Sequence, residues 1–379
     1  MSQPLATLVD DLQRTAVTLD QEGAVPTAAM QAVARAGLLA APVPHTLGGL
    51  GLGTEPGQSA NLLHLLAEIG RGNLSIGRIY EGHVNTLQLI KTLGTPDQLE
   101  AAAVDARDAQ RLFGVWNTEA ADGVHLHAIA SGRYRMSGSK TFASGAGVVA
   151  RAMVTGRLPD GGWQMCLVPM DQVETKTDSS WWRPIGMYGS ASFKVDFTGV
   201  EIGPDALIGG SGDYQRQPWF SGGAVRFAAV QLGGAAALFD AARAELRALG
   251  RTGDPHQQAR FGQMAIDIEA GRHWLQAAAP IIDLAFPALD GSPADDRTSE
   301  RIIAYANMTR SAIERICLEI IPLVERSVGA RGLLKPHPIE RIVRDLTMYL
   351  RQPVPDLALT DVGRYALAMD TASPVMWEA

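Results

Sequence analysis

Only two cysteines, Cys166 and Cys317, occur in 379 residues, so no disulfide scaffold can hold the fold. Positive charge is also scarce. Lys and Arg number 33 against 40 Asp and Glu, a formal charge of −7. Binding a phosphate backbone needs local positive charge, so this balance excludes a general nucleic-acid binder. No apolar run reaches about 18 residues without a charge, so no membrane-spanning helix is expected. The start carries Asp10 and Asp11 and lacks the basic-then-apolar pattern of a signal peptide. The expectation is a cytoplasmic protein in a reducing compartment, with no lipid anchor. Motifs that would carry catalysis by themselves are missing as well. There is no Walker loop, H-E-x-x-H, G-x-S-x-G or C-x-x-C.

What is present is a globular composition, 46% hydrophobic and 19% charged. At about 150 residues per domain, the length suggests two or three domains. Three zones differ in period. Residues 1–110 read as helices, with Leu5, Leu8, Val9 and Leu12 at helical spacing and Leu62, Leu63, Leu65, Leu66 and Ile69 on another face. The loop Gly48-Gly49-Leu50-Gly51-Leu52-Gly53 is no dinucleotide fingerprint, because the third glycine falls one residue early. Residues 111–213 hold short runs of Val, Phe, Tyr, Trp and Thr between turn residues. Strands are expected over Leu112–Asn117, His127–Ser131, Tyr134–Phe142, Ala152–Gly156, Gln164–Pro169 and Phe193–Phe197, as an antiparallel sandwich or barrel. Residues 214–379 return to the helical period. Val225–Leu249, Phe261–Ala285, Ser299–Val328 and Pro338–Gln352 are the long helices of an expected four-helix bundle, with Pro353 and Pro355 as stops. The fold class read from this is α+β, with a helical domain, a β domain and a helical bundle in that order.

Side-chain chemistry offers few sharp features. His125 and His127 could face one way on a strand, but no cysteine nearby completes a metal site, and no metal is expected. Cys317, among Ile316, Leu318, Ile320 and Ile321, reads as a buried structural thiol. Trp181 and Trp182 read as packing residues. Two segments stand out. Val115-Trp116-Asn117-Thr118-Glu119 ends a strand in polar groups, and Gly138-Ser139-Lys140-Thr141-Phe142-Ala143-Ser144 runs a strand into small hydroxyl-bearing residues. Hydroxyls, backbone amides and an aromatic plane suit a flat heteroaromatic cofactor, and equally suit ordinary strand-end turns.

These segments, in this order, resemble the acyl-CoA dehydrogenase superfamily of flavoenzymes. Asn117-Thr118-Glu119 stands where that family has T-E-P, with Ala120 in place of the proline. Gly138 to Ser144 is similar to its G-x-K-x-(W/F) strand. Ile185-Gly186-Met187-Tyr188-Gly189-Ser190, followed by Val195-Asp196-Phe197, is similar to its G-M-R-G-S stretch. Gly329-Ala330-Arg331-Gly332, then Pro338-Ile339-Glu340-Arg341 and Arg344-Asp345, resembles its G-G-x-G and P-V-E-R … R-D pair. The resemblance implies one FAD per subunit between the β domain and the C-terminal helices. Val115, Asn117 and Thr118 would meet the isoalloxazine ring. Phe142 would stack beside it, with Ala143 and Ser144 following along its polar edge. Arg251 would pair with the pyrophosphate of a neighbouring subunit's FAD, and Arg326, Gly329 and Gly332 would approach the same FAD. A homodimer or homotetramer is implied.

The family pattern breaks at its catalytic base. The expected carboxylate falls on Pro353, and the position used by a second subgroup falls near Val225. A positioned base is worth roughly 10²–10⁴ in rate. The main expectation is nonetheless an FAD-dependent oxidoreductase acting on the CH–CH group of an acyl or CoA-thioester-like substrate. The alternatives are a flavin-dependent monooxygenase on the same fold and a non-catalytic flavoprotein subunit. For the monooxygenase, His83 is the expected catalytic histidine. Asp356 and Glu340 are further candidates for a base.

Overall fold

The computed structural model describes residues 2–287 and 294–377. The chain opens with α1 (Ser2–Thr15), α2 (Thr27–Arg35), α3 (Ser59–Gly72), α4 (Leu74–Leu93) and α5 (Pro96–Arg107). Local chemistry sets several of these ends. The Asn73 side chain accepts from the amides of Ser75 and Ile76 and starts α4. At α5, Thr95 and Gln98 cap each other reciprocally ahead of Pro96.

The middle of the chain is β: β1 (Phe113–Trp116), β2 (His125–Ala130), β3 (Arg133–Ser137), β4 (Ser139–Ala143), β5 (Arg151–Arg157), β6 (Trp163–Pro169), β7 (Lys176–Asp178), β8 (Phe193–Asp196), β9 (Glu201–Ile202) and β10 (Leu207–Ile208). One sheet runs β10-β6-β5-β2-β3-β9 with β1 added on β5, and a second runs β4-β8-β7. The expected antiparallel pattern needs correction at two places, since β1 lies parallel to β5, with Val115 beside Met153, and β2 meets β5 in parallel at His125 and Arg157. The expected single strand Tyr134–Phe142 is divided at Gly138. Its φ is +102°, and a Cβ there would sit 2.3 Å from the Gly123 carbonyl oxygen. Only glycine lets the chain cross here from one sheet to the other.

The C-terminal part holds a short α6 (Trp219–Gly222), then α7 (Ala224–Ala248), α8 (Pro255–Asp283), α9 (Asp296–Val328), α10 (Pro338–Tyr349) and α11 (Pro355–Ala368). The four expected helices are all present. The fifth, α11, was not expected, because Pro355 read as a stop and instead occupies the first helical position, where a missing amide costs nothing. One stretch, Trp219–Ala248, is long and apolar enough to cross a membrane, but most of it is buried. It is the core helix against which α3 and α9 pack. Asp345 of α10 accepts from the Met187 amide, while Arg344 pairs with Asp20 at 2.7 Å and donates to the Ile185 carbonyl at 3.0 Å. The Arg-Asp pair thus pins the C-terminal bundle to the N-terminal helices and to the loop before β8.

Candidate active site

A cavity of about 390 Å³ opens where the three parts meet. Its β wall is Val115, Asn117, Thr118 and Phe142. Phe142 sits in a β-bulge between Lys140 and Ala143, with φ +52° and its ring 43% exposed. A bulky residue in the left-handed region is strained and persists only where its surroundings hold it. Trp181 and Trp182 supply that hold, meeting the Phe142 ring edge-on at 5.0 and 5.6 Å. Lys140, fully buried, braces the same wall from behind. Its ammonium donates to the Asn117 carbonyl (3.0 Å), the Glu119 carboxylate (2.7 Å) and the Thr155 hydroxyl (3.1 Å). Thr155 in turn donates to Asn117 Oδ1 at 2.8 Å, and the Thr141 amide donates to the Thr118 carbonyl at 2.9 Å. The Asn117–Thr118 corner is therefore fixed before anything binds.

The helical wall comes from α4, α7, α9 and the turn into α11. From α4 come Arg78, Glu81, Gly82, Asn85 and Leu89, one stripe at helical spacing. Arg226 and Phe227 come from α7, Asn307 and Arg310 from α9, and Gln352, Pro353 and Val354 from the turn. Arg78 donates to Glu81 at 2.5 Å. Arg226 is buried, and burial lowers its pKa while Glu81 pulls it back up.

The predicted site residues divide. Val115, Asn117, Thr118 and Phe142 come together on the cavity wall. Ala143 is fully buried behind it. Ser144 joins a hydroxyl chain, 2.8 Å from Ser192, which is 2.7 Å from Ser190. His83 does not line the cavity. It lies on the opposite face of α4 from Glu81, with its Nδ1 accepting from the Phe113 amide at 3.1 Å and its Nε2 against the Leu39 carbonyl at 2.9 Å. Burial lowers its pKa to about 4. Both nitrogens are committed to backbone, which makes it a strut between α4 and β1. Arg251, Arg326, Gly329 and Gly332 do not line the cavity; Arg251 is exposed and 3.6 Å from Asp254. Asp356 is exposed, and Glu340 is paired with Arg344. His125 and His127 stack at 6.5 Å, with His127 against Ser137. The residues that sequence reading missed are Arg78, Glu81, Asn85, Arg226 and Arg310. Arg78, Glu81 and Asn85 stand at i, i+3 and i+7 of α4, which marks them as sharing a face, whereas nothing along the chain joins Arg226 of α7 or Arg310 of α9 to that face.

Two family models match the chain: the acyl-CoA dehydrogenase N-terminal domain over residues 6–103 and the C-terminal domain over residues 225–350. The chain belongs to the acyl-CoA dehydrogenase superfamily. It is a flavoprotein oxidoreductase by family, and its relatives within the superfamily are informative. It is 23% identical to the dibenzothiophene monooxygenase of Mycolicibacterium goodii, covering 94% of this chain and 90% of that one. It is 26% identical to the L-evernosamine nitrososynthase of a Micromonospora strain, covering 90% and 83%. Among solved structures, the FMN-bound dibenzothiophene monooxygenase of Paenibacillus superposes with a TM-score of 0.85 at 20% identity, covering 99% of both chains. The methanesulfinate monooxygenase of Pseudomonas fluorescens gives 0.83 at 21% identity, again over 99% of both.

Proposed function

We propose that the chain is a flavin-dependent monooxygenase on the acyl-CoA dehydrogenase fold, using reduced flavin and dioxygen to oxidise a small molecule in the 390 Å³ cavity. The observation that carries this reading is the state of the two base positions. Pro353 has no acid–base group, and its carbonyl accepts from Arg310 at 2.6 Å. Val225 is an apolar residue buried in α7. Beside Pro353 the wall presents a guanidinium that can only donate, and the two carboxylates of the lining, Glu81 and Asp361, are each paired with an arginine. The monooxygenase relatives favour the same reading over oxidation of a CoA thioester.

The β wall fits a flavin ring. Its corner is rigid, Phe142 offers an aromatic surface, and the Thr118 hydroxyl has no partner among the described residues. Asn117, Thr118 and Phe142 would hold the ring, and α4, α7 and the 352–354 turn would close over its other side and exclude water. When bound, the flavin supplies two electrons to dioxygen; one oxygen atom enters the substrate and the other leaves as water. FMN is the proposed form, as in the bound Paenibacillus relative; the FAD implied by the resemblance is the other outcome. The deciding experiment loads the protein with FMN or FAD, measures both affinities by flavin absorbance, and supplies reduced flavin and ¹⁸O₂ with dibenzothiophene, indole or methanesulfinate. Product carrying ¹⁸O is the expected result. Bleaching of the oxidised flavin by an acyl-CoA without oxygen, and no labelled product, overturns the reading in favour of a dehydrogenase.

A further inference from the structure

The charge on the cavity wall narrows the substrate, on the reading that the cavity lies beside a flavin. Three guanidinium groups line it: Arg78, Arg226 and Arg310. One carboxylate, Glu81, serves two of them, at 2.5 Å from Arg78 and 3.5 Å from Arg226 Nε. The other acid on the wall, Asp361, is itself paired with Arg364 at 2.9 Å. Arg226 is 5% exposed. Its two terminal nitrogens donate to neutral groups, Gln88 Oε1 at 2.6 Å and Asn85 Oδ1 at 2.8 Å, and its Nε has no hydrogen-bond acceptor. Arg310 is 7% exposed. Among the described residues no carboxylate lies within ion-pair distance of it. Its partners are the carbonyls of Gln352 (3.3 Å) and Pro353 (2.6 Å) and the ring of Phe227 at 5.2 Å.

A guanidinium stays charged in proteins, and a buried charge without a counterion is unfavourable unless something supplies one. The turn beside Arg310 is itself strained, with the β-branched Val354 at φ +49°. Such outliers persist where the surroundings enforce them. We propose that the cavity binds an organic monoanion, a carboxylate on a flat apolar body. The anionic group sits on Arg310 and Arg226, and the body lies against Phe227, Trp219 and Phe220.

The test is calorimetric titration of the wild-type protein, flavin-free and FMN-loaded, with two matched pairs: benzoate against benzamide, and indole-3-carboxylate against indole. The carboxylates should bind about ten- to a hundred-fold more tightly than their neutral partners. Arg310→Gln should erase that preference and leave benzamide unchanged, whereas Arg310→Lys should keep part of it. Equal affinities within both pairs, or no binding by either carboxylate, overturns the proposal without recourse to a variant. So does an Arg310→Gln protein with unaltered circular dichroism that still prefers benzoate. FMN affinity is measured in parallel by absorbance. Carboxylate selectivity without FMN binding sinks the flavin reading and leaves this site standing. If Arg310→Gln weakens FMN and benzoate equally, the guanidinium serves the flavin, and the proposal fails.

Discussion

His83 shows how burial and hydrogen bonding settle a residue's role. Its Nδ1 accepts from the Phe113 amide, so the proton rests on Nε2 and is donated to Leu39. Protonating Nδ1 would break the link to β1. The folded-state pKa of about 4 lies below the ordinary 6.5, chiefly through burial. Stability from this group is therefore complete above pH 6.5 and is lost as pH falls toward 4, because the unfolded chain takes up the proton first. The loss should reach about 3 kcal/mol across that window. Urea denaturation at a series of pH values should show it, and His83→Gln, starting from a lower plateau, should have a flatter acid limb. Lys140 is a second residue whose work is support. Lys140→Met deletes three hydrogen bonds and leaves Glu119 without its buried partner. It should lower stability by about 2–4 kcal/mol and loosen the Asn117–Thr118 corner enough to weaken FMN binding. Denaturation and flavin titration check the two effects separately.

At the scale of elements, the cavity depends on how closely α7 crosses α3. A Cβ on Gly233 would lie 2.0 Å from the Ala67 carbonyl oxygen, and one on Gly70 would lie 2.3 Å from that of Val230. Backbone meets backbone at this crossing, so no side chain can move aside. Gly233→Ala should cost about 3 kcal/mol despite the better helix propensity of alanine, and should displace Arg226 and Phe227, one to two turns away on α7. Gly363 of α11 is the contrast: nothing lies within 4 Å of its would-be Cβ, so Gly363→Ala should stabilise by about 0.5–1 kcal/mol. Thermal and urea melts of the pair test whether helix approach, rather than glycine content, governs the bundle.

For the whole molecule, the cavity uses residues from all three parts of the chain, yet Arg251 and Arg326 stand apart from it. The resemblance places them on a neighbouring subunit's flavin, so their use requires assembly. The expected outcome is a dimer or tetramer by sedimentation. Arg251→Gln should keep that assembly while its flavin affinity falls about ten-fold. Unchanged affinity in an intact oligomer would limit Arg251 to its ion pair with Asp254.

The helical, β, helical order was readable because amphipathic period and turn residues are local properties, and α10 shows this plainly with its apolar face and Pro338 start. The cavity-lining Asn117, Thr118 and Phe142 were readable from motif resemblance, and the same resemblance put the usual base position on Pro353. The function of His83, by contrast, could not be read along the chain, since the sequence does not say that Phe113 and Leu39 would take up both its nitrogens. Nor could the cluster of Arg78, Glu81, Arg226 and Arg310. Those residues lie on three helices far apart in sequence, and their charges became one balance only when folding brought them to a single wall out of water.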